Sequence, residues 1–335
     1  MKYTLTPLKH LIFTTCLLVS FQSNAFDSNS TQKQANSSIE KLYHSLSSMP
    51  NSSMPDRIDW ISSQFLGLPY ILGSLGEGAT ARYDQFPRYR VDGFDCETYV
   101  DTVLSLAVAN SLASFQQCID KIRYKNGAVS YLYRNHFTGL DWNQNNQRSG
   151  ILKDITLSIK DQNNQPVAKI ADAVINKPNW YAFKSLETIR LQSADKEKEE
   201  KRLTELKRKG AKLEVATEKV PYLPFTALFS ENKPNMHLFA QIPHGAIIEI
   251  VRPNWDLSQK IGTALNISHL GFAIRNNGQL YFREASSEYG KVVDVPLIEY
   301  LEKAQSSPTI KGINIQIVVP KIPLTDCEMS VSNQT

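Results

Sequence analysis

Asn276-Asn277-Gly278 separates two runs rich in β-formers, residues 268–274 and 280–282. An Asn-Gly step between such runs is the strongest short-range signal for a tight antiparallel hairpin. If Asn277 and Gly278 form a two-residue turn, Asn276 faces Gln279. Counting outward then sets His269 opposite Ser286 with Glu284 on its diagonal, all three on one face. A slip of one residue would carry that set to the other face, so the assignment depends on the turn type. Further strand patterns fall at residues 246–251, 292–295 and 313–319, with a helix near 297–304. Helical patterns come early and antiparallel strands late, which predicts an α+β domain rather than a doubly wound sheet.

The early part holds the other marked stretch, Gly93-Phe94-Asp95-Cys96-Glu97-Thr98-Tyr99-Val100. Beyond Cys96 the apolar residues Tyr99, Val100, Val103, Leu104 and Ala107 follow the three-and-four spacing of a helix that buries one stripe. Cys96 therefore belongs to the first turn, where unpaired backbone N–H groups and the helix dipole favour an anion. A thiolate nucleophile and the oxyanion of a tetrahedral intermediate are both served by that setting. A buried cysteine acting as a small apolar residue is the alternative. A cysteine nucleophile needs a base and a group to orient it. Of the histidines, His269 is the best placed, because it opens the strand that leads into the hairpin. Glu284 can accept its second ring hydrogen. Helix-borne Cys, then strand-borne His with a polar partner, is the papain-type arrangement.

The chain has 335 residues, enough for a substantial core. Lys2 and Lys9, the apolar run 11–21 and the sequence Ser23-Asn24-Ala25 form the pattern of a secretory signal peptide with cleavage after Ala25. The run is too short to cross a bilayer, which takes roughly 20 residues. Loss of that leader removes Cys16 and two lysines, so the formal charge falls from +4 to +2 and gives no argument for nucleic acid or an anionic membrane as partner. An odd thiol then remains among Cys96, Cys118 and Cys327, with Cys96 the candidate for the free one. Cys118 and Cys327 are read either as a disulfide or as two separate thiols.

Residues 26–53 are rich in Ser, Asn and Gln and read as a tether leading into a helix around Ile39 and Leu46; Asp56 is the expected N-cap of the next helix. Tyr131, Tyr133, Arg134, Asn135, His136, Phe137, Asp141 and Trp142 place rings beside hydrogen-bonding groups, a composition suited to sugars or peptides. Residues 194–209 alternate charge at helical spacing, as an exposed helix does. Pro221, Pro224 and Pro234 punctuate the section that follows. No Cys or His pair has the spacing of a structural zinc site, so neither metal nor cofactor is expected.

With these residues assembled, the chain resembles the NlpC-type cysteine peptidases. The matching pieces are Pro69-Tyr70, Phe94-Asp95-Cys96, Ser268-His269-Leu270-Gly271 and Arg283-Glu284-Ala285-Ser286-Ser287. It is most similar to their subfamily of N-acetylmuramoyl-L-alanine amidases, through residues 94–100, Arg134-Asn135-His136-Phe137 with Asp141-Trp142, and residues 291–297. The resemblance covers roughly residues 55–305 and implies a papain-like core in which the nucleophile helix packs on an antiparallel sheet, with helical insertions. It divides the chain into a leader (1–25), a polar tether (26–53), a catalytic domain (54–325) with a variable section near 143–235, and a tail (326–335). It implies that Cys96 attacks a carbonyl, His269 takes and returns the proton, and Tyr70 lines the oxyanion site. The family more often has histidine where Glu284 stands. The implied substrate is a peptidoglycan fragment, cut between N-acetylmuramic acid and L-alanine and restricted in one variant to anhydro-muropeptides. Asp95, Arg134, Asn135, His136 and Trp142 are then expected substrate contacts, and the periplasm the expected location. Cleavage between D-Glu and diaminopimelate, or binding of cell wall without catalysis, are the competing readings.

Overall fold

The computed structural model describes residues 27–49, 52–192, 195–231 and 233–327; the expected leader and the end of the tail lie outside them. Four helices come first: α1 (Ser28–Leu46), α2 (Met54–Ser63), α3 (Cys96–Val108) and α4 (Leu112–Arg123). The segment expected as a tether is largely α1. Asp27 caps it by accepting from the N–H groups of Asn29 and Ser30, and Ala35, Ile39 and Leu46 are buried on its inner side. The helix expected around Ile39 and Leu46 therefore begins earlier, at Ser28, with Ala35 extending its buried stripe. The cap of α2 is Ser53 rather than Asp56: Ser53 Oγ accepts from the Asp56 N–H at 3.3 Å.

α3 is almost wholly enclosed, with Val100, Val103, Leu104 and Ala107 at 0% exposure. Its C-terminal carbonyls would be orphaned there. Arg57 of α2 answers them, Nε donating to Ala107 O at 2.8 Å and Nη2 to Ala109 O at 2.7 Å.

The strands are β1 (Leu152–Asp154), β2 (Lys169–Asn176), β3 (Val215–Pro224), β4 (Phe229–Ser230), β5 (Lys233–Pro234), β6 (Ala246–Asp256), β7 (Ala264–Asn276), β8 (Gln279–Ser286), β9 (Lys291–Pro296) and β10 (Gly312–Val318). The main sheet runs β2-β3-β10-β6-β7-β8-β9 with β1 added to β10, while β4 and β5 pair separately. Every ladder is antiparallel. Alternation along β7 splits the core: Leu270, Phe272 and Ile274 face the α1–α4 cluster, and Ala273 joins Phe282, Leu297 and Leu301 on the other side. The fold is thus mixed, with helices packed on an antiparallel sheet.

β2 and β3 lie inside the section read as variable. On β2 the inward residues are Ala171, Ala173 and Ile175, while Ile170 and Val174 are exposed. Two of the three inward positions are alanine while Ile170 and Val174 face outward, which weakens the usual alternation. β3 accommodates Pro221 opposite Ile170 and ends at Pro224, where the prolines read as breaks. The helix Lys196–Gly210 matches its charge pattern and buries Leu206.

Cys118 on α4 is joined to Cys327 by a disulfide, leaving Cys96 free. The crosslink closes a sequence separation of 209 residues, so it restricts the unfolded chain strongly. Cys118→Ser is expected to cost roughly 2–5 kcal/mol, read as a lower denaturant midpoint. The same shift should follow when the native protein is reduced, and reduction should leave the variant unmoved.

Candidate active site

The start of α3 is held by a reciprocal cap. Asp95 Oδ1 accepts from the Thr98 N–H at 2.8 Å, while Thr98 Oγ1 accepts from the Asp95 N–H at 3.0 Å. Asp95 Oδ2 accepts from the Gly73 N–H at 2.8 Å, which ties the preceding loop to the helix head. Gly93 is needed for the approach of that loop, since a Cβ there would come within 2.4 Å of Ile71 Cδ1. Cys96 is left partly exposed at the head of the helix.

The hairpin forms in the expected register. Asn277 and Gly278 both take positive φ, 49° and 80°, as a type I′ turn requires. Asn276 pairs with Gln279 and Phe272 with Arg283. Arg283 is spent on the scaffold: it pairs with Asp294 of β9 and Asp59 of α2. Glu284 points to the other face, where the His269 Nε2–H donates to its Oε2 in a short hydrogen bond. Cys96 lines the same cleft as His269 and acts on its charge, and Nδ1 is the ring nitrogen that Glu284 leaves free. Phe282 supports the imidazole edge-on, with ring centroids 5.7 Å apart at 82°. Burial lowers the affinity of His269 for its proton, but hydrogen bonds and charge from Cys96 and Glu284 outweigh it and push the pKa up to about 10.

Tyr70 reaches the same place from the loop before α3. Its N–H donates to Gly290 O at 2.9 Å, and a parallel bridge pairs it with Phe94. Burial, then the negative charges of Cys96, Asp95 and Glu284, push its phenol up to about 12, so it stays a hydrogen-bond donor. A sulfur, an imidazole, a carboxylate and a phenolic donor are the parts of covalent acyl transfer.

Cys96 and His269 line a cleft of about 170 Å³, together with Glu97, His136, Glu218 and Asn266. Glu97 and Glu218 were not singled out from sequence. Glu97 stands inside the cysteine motif, and its position next to Cys96 was the available signal. Burial, with Asp101 and Asp95 beside it, raises its carboxyl well above the ordinary range. Burial likewise pushes Glu218 up to about 7. Glu218 sits in β3 among charged residues and gave no such signal. Among the described residues no three His, Cys, Asp or Glu side chains are grouped as a metal site would need.

The expected substrate contacts separate. His136 reaches the cleft; its Nε2–H donates to Tyr131 O at 2.7 Å, and burial, then Arg134 and Lys184, hold the ring neutral. Arg134 lies behind it and pairs with Glu77 and Asp84. Asn135 donates its side-chain N–H to Ile122 O at 3.0 Å and is buried. Trp142 is corrected from contact to core: at 1% exposure it donates Nε1–H to Asp101 Oδ1 at 2.7 Å and has no open ring face. Asp95 has both carboxylate oxygens engaged by Thr98 and Gly73, which is the work of a cap. Arg134→Met should cost roughly 3–5 kcal/mol, because it leaves buried Glu77 without its paired cation, whereas Asp84 keeps Arg190. Denaturant titration would check this, and a loss below 1 kcal/mol would contradict it.

The family described as AmiA-like, N-acetylmuramoyl-L-alanine amidase-like, matches residues 60–310. A crystal structure of a protein from Legionella pneumophila str. Philadelphia 1, of the DUF1460 family, is 66% identical. It superposes with a TM-score of 0.87 over 90% of this chain and 99% of that one. A structure of an N-acetylmuramoyl-L-alanine amidase from Bacteroides uniformis is 23% identical, with a TM-score of 0.56 over 80% of this chain and 99% of that one. At that identity the likeness concerns the fold. No curated protein matches the chain.

Proposed function

This chain belongs to the AmiA-like, N-acetylmuramoyl-L-alanine amidase-like family, and from that premise we propose that it is a cysteine amidase with a papain-like, NlpC-type core. Its proposed reaction is hydrolysis of the amide between the lactyl group of N-acetylmuramic acid and L-alanine in peptidoglycan fragments. One observation carries the reading: Cys96 at the head of α3 and His269 on β7 line one cleft, and Glu284 on β8 hydrogen-bonds the imidazole.

The residues act in sequence. The Cys96 thiolate adds to the lactyl carbonyl, and the helix-head N–H groups and the Tyr70 hydroxyl receive the oxyanion. The carbon–nitrogen bond then breaks as imidazolium His269 gives its proton to the alanine nitrogen, leaving a thioester and a free peptide. Water, deprotonated by neutral His269, attacks the thioester and releases a muramyl carboxylic acid and the Cys96 thiolate, with the proton kept on His269. Glu284 is a positioning residue that fixes the ring and favours its charged form. The leader read at residues 1–25 would deliver the enzyme to the periplasm, where these fragments arise.

Mass spectrometry of purified muropeptides after incubation tests the bond. The expected products are a stem peptide with a free L-alanine amine and a sugar with a free lactyl carboxylate. A disaccharide that keeps L-Ala-D-Glu would replace the amidase with an endopeptidase, and no cleavage together with no labelling of Cys96 by a thiol probe would leave a binding module.

A further inference from the structure

His136 and Phe137 border the Cys96 cleft and also line a larger cavity of about 550 Å³. The walls of this second cavity carry Lys125, Arg134, Arg148, Lys177 and Lys212 against Asp141 and Glu214. Two of the five cations are already neutralised, Arg134 by Glu77 and Asp84, and Lys177 by Asp141 at 2.5 Å. The other three are exposed and form no ion pair among the described residues, Arg148 donating only to Gln144 Oε1 at 3.4 Å. Between them the wall is apolar, with Tyr133 52% exposed. The volume falls within the roughly 300–1,000 Å³ of ligand sites.

We propose that this cavity binds the stem peptide of the substrate by its carboxylates, with Lys125, Arg148 and Lys212 as the recognising charges. The inference rests on the amidase reading, which makes the departing group a peptide. Stem peptides bear free carboxylates at D-Glu and at diaminopimelate unless these are amidated, whereas the neutral sugar hydroxyls have no use for unpaired cations. His136 and Phe137 belong to the walls of both spaces, which sets the basic cavity directly beside the cleft of Cys96. The peptide then extends from the scissile amide at Cys96, past His136, into the basic cavity.

Exposed charge contacts are each worth roughly 0.2–1 kcal/mol, so three together should change affinity by about tenfold. The test compares muramyl-tripeptides whose D-Glu and diaminopimelate carboxylates are free or amidated. The free form should show a KM about tenfold lower. The difference should vanish in the triple variant Lys125→Gln, Arg148→Gln, Lys212→Gln and at high salt. Equal KM values for the two forms, or a preference that survives in the triple variant, would overturn the proposal. If the wild type cleaves neither compound, the amidase reading fails on its own. The cavity is then judged by calorimetry of the Cys96→Ala protein with L-Ala-γ-D-Glu-diaminopimelate and its amidated form. Tighter binding of the free form, lost on adding the triple substitution, supports the site, and equal or absent binding removes it.

Discussion

Replacing Cys96 with alanine is expected to lower muropeptide turnover by about 10⁴-fold or more, the scale on which loss of a covalent nucleophile acts. The side chain stands partly exposed at the head of α3, and the cap that starts the helix is made by Asp95 and Thr98. The substitution should therefore leave the circular dichroism spectrum and the melting temperature close to wild type. A variant that folds normally and keeps more than about 1% of activity would show that the sulfur is not the nucleophile. Because the other two described cysteines are disulfide-bonded, a thiol reagent applied to the native protein should label Cys96 alone and inactivate in step with labelling.

Glu284→Ala is expected to reduce kcat by roughly 10²- to 10⁴-fold, and Glu284→Gln by less, because an amide oxygen can still accept from the ring while the negative charge is gone. The sign of the pH effect follows from His269. Burial works against its proton, but its partnership with Cys96 and Glu284 raises the pKa from 6.5 to about 10. The imidazolium's contribution to stability is therefore fully present below pH 6.5 and lost as the pH rises through about 10. Activity that uses the thiolate–imidazolium pair should fall along the same alkaline limb. Removing the Glu284 charge takes away one of the two raising partners, so the limb should move to lower pH in both variants. Glu284→His tests whether the ring more usual in the family can replace the carboxylate. A pH profile of kcat/KM decides the matter: an unshifted alkaline limb and full activity in Glu284→Ala would mean that another group orients His269.

Much of this site was legible before any coordinates. The turn at Asn277-Gly278 set the register that brings Glu284 beside His269, because left-handed φ values at two adjacent positions admit few other geometries. The cysteine motif marked a helix start for an equally local reason, since Asp95 and Thr98 are three residues apart and satisfy each other's backbone donors. The block Arg134 to Trp142 was read less well. Its composition fitted both a ligand surface and a core, and only packing separates His136, which reaches the cleft, from Trp142, which is sealed against Asp101. β2 gave a weak signal because two of its three inward residues are alanine while Ile170 and Val174 face outward.

By itself, the amino-acid sequence determined what depends on neighbours a few residues away: the capped head of α3, the hairpin and its register, and the charged helix at Lys196–Gly210. Tertiary structure alone decided the meeting of Cys96 with His269, the joining of Cys118 to Cys327, the burial of α1, and the pairing of Arg134 with Glu77 and Asp84. The reason is physical. Caps and turns are closed by hydrogen bonds within one short segment, whereas these contacts join segments far apart in the chain, and their loop-closure cost is met only when the whole core forms.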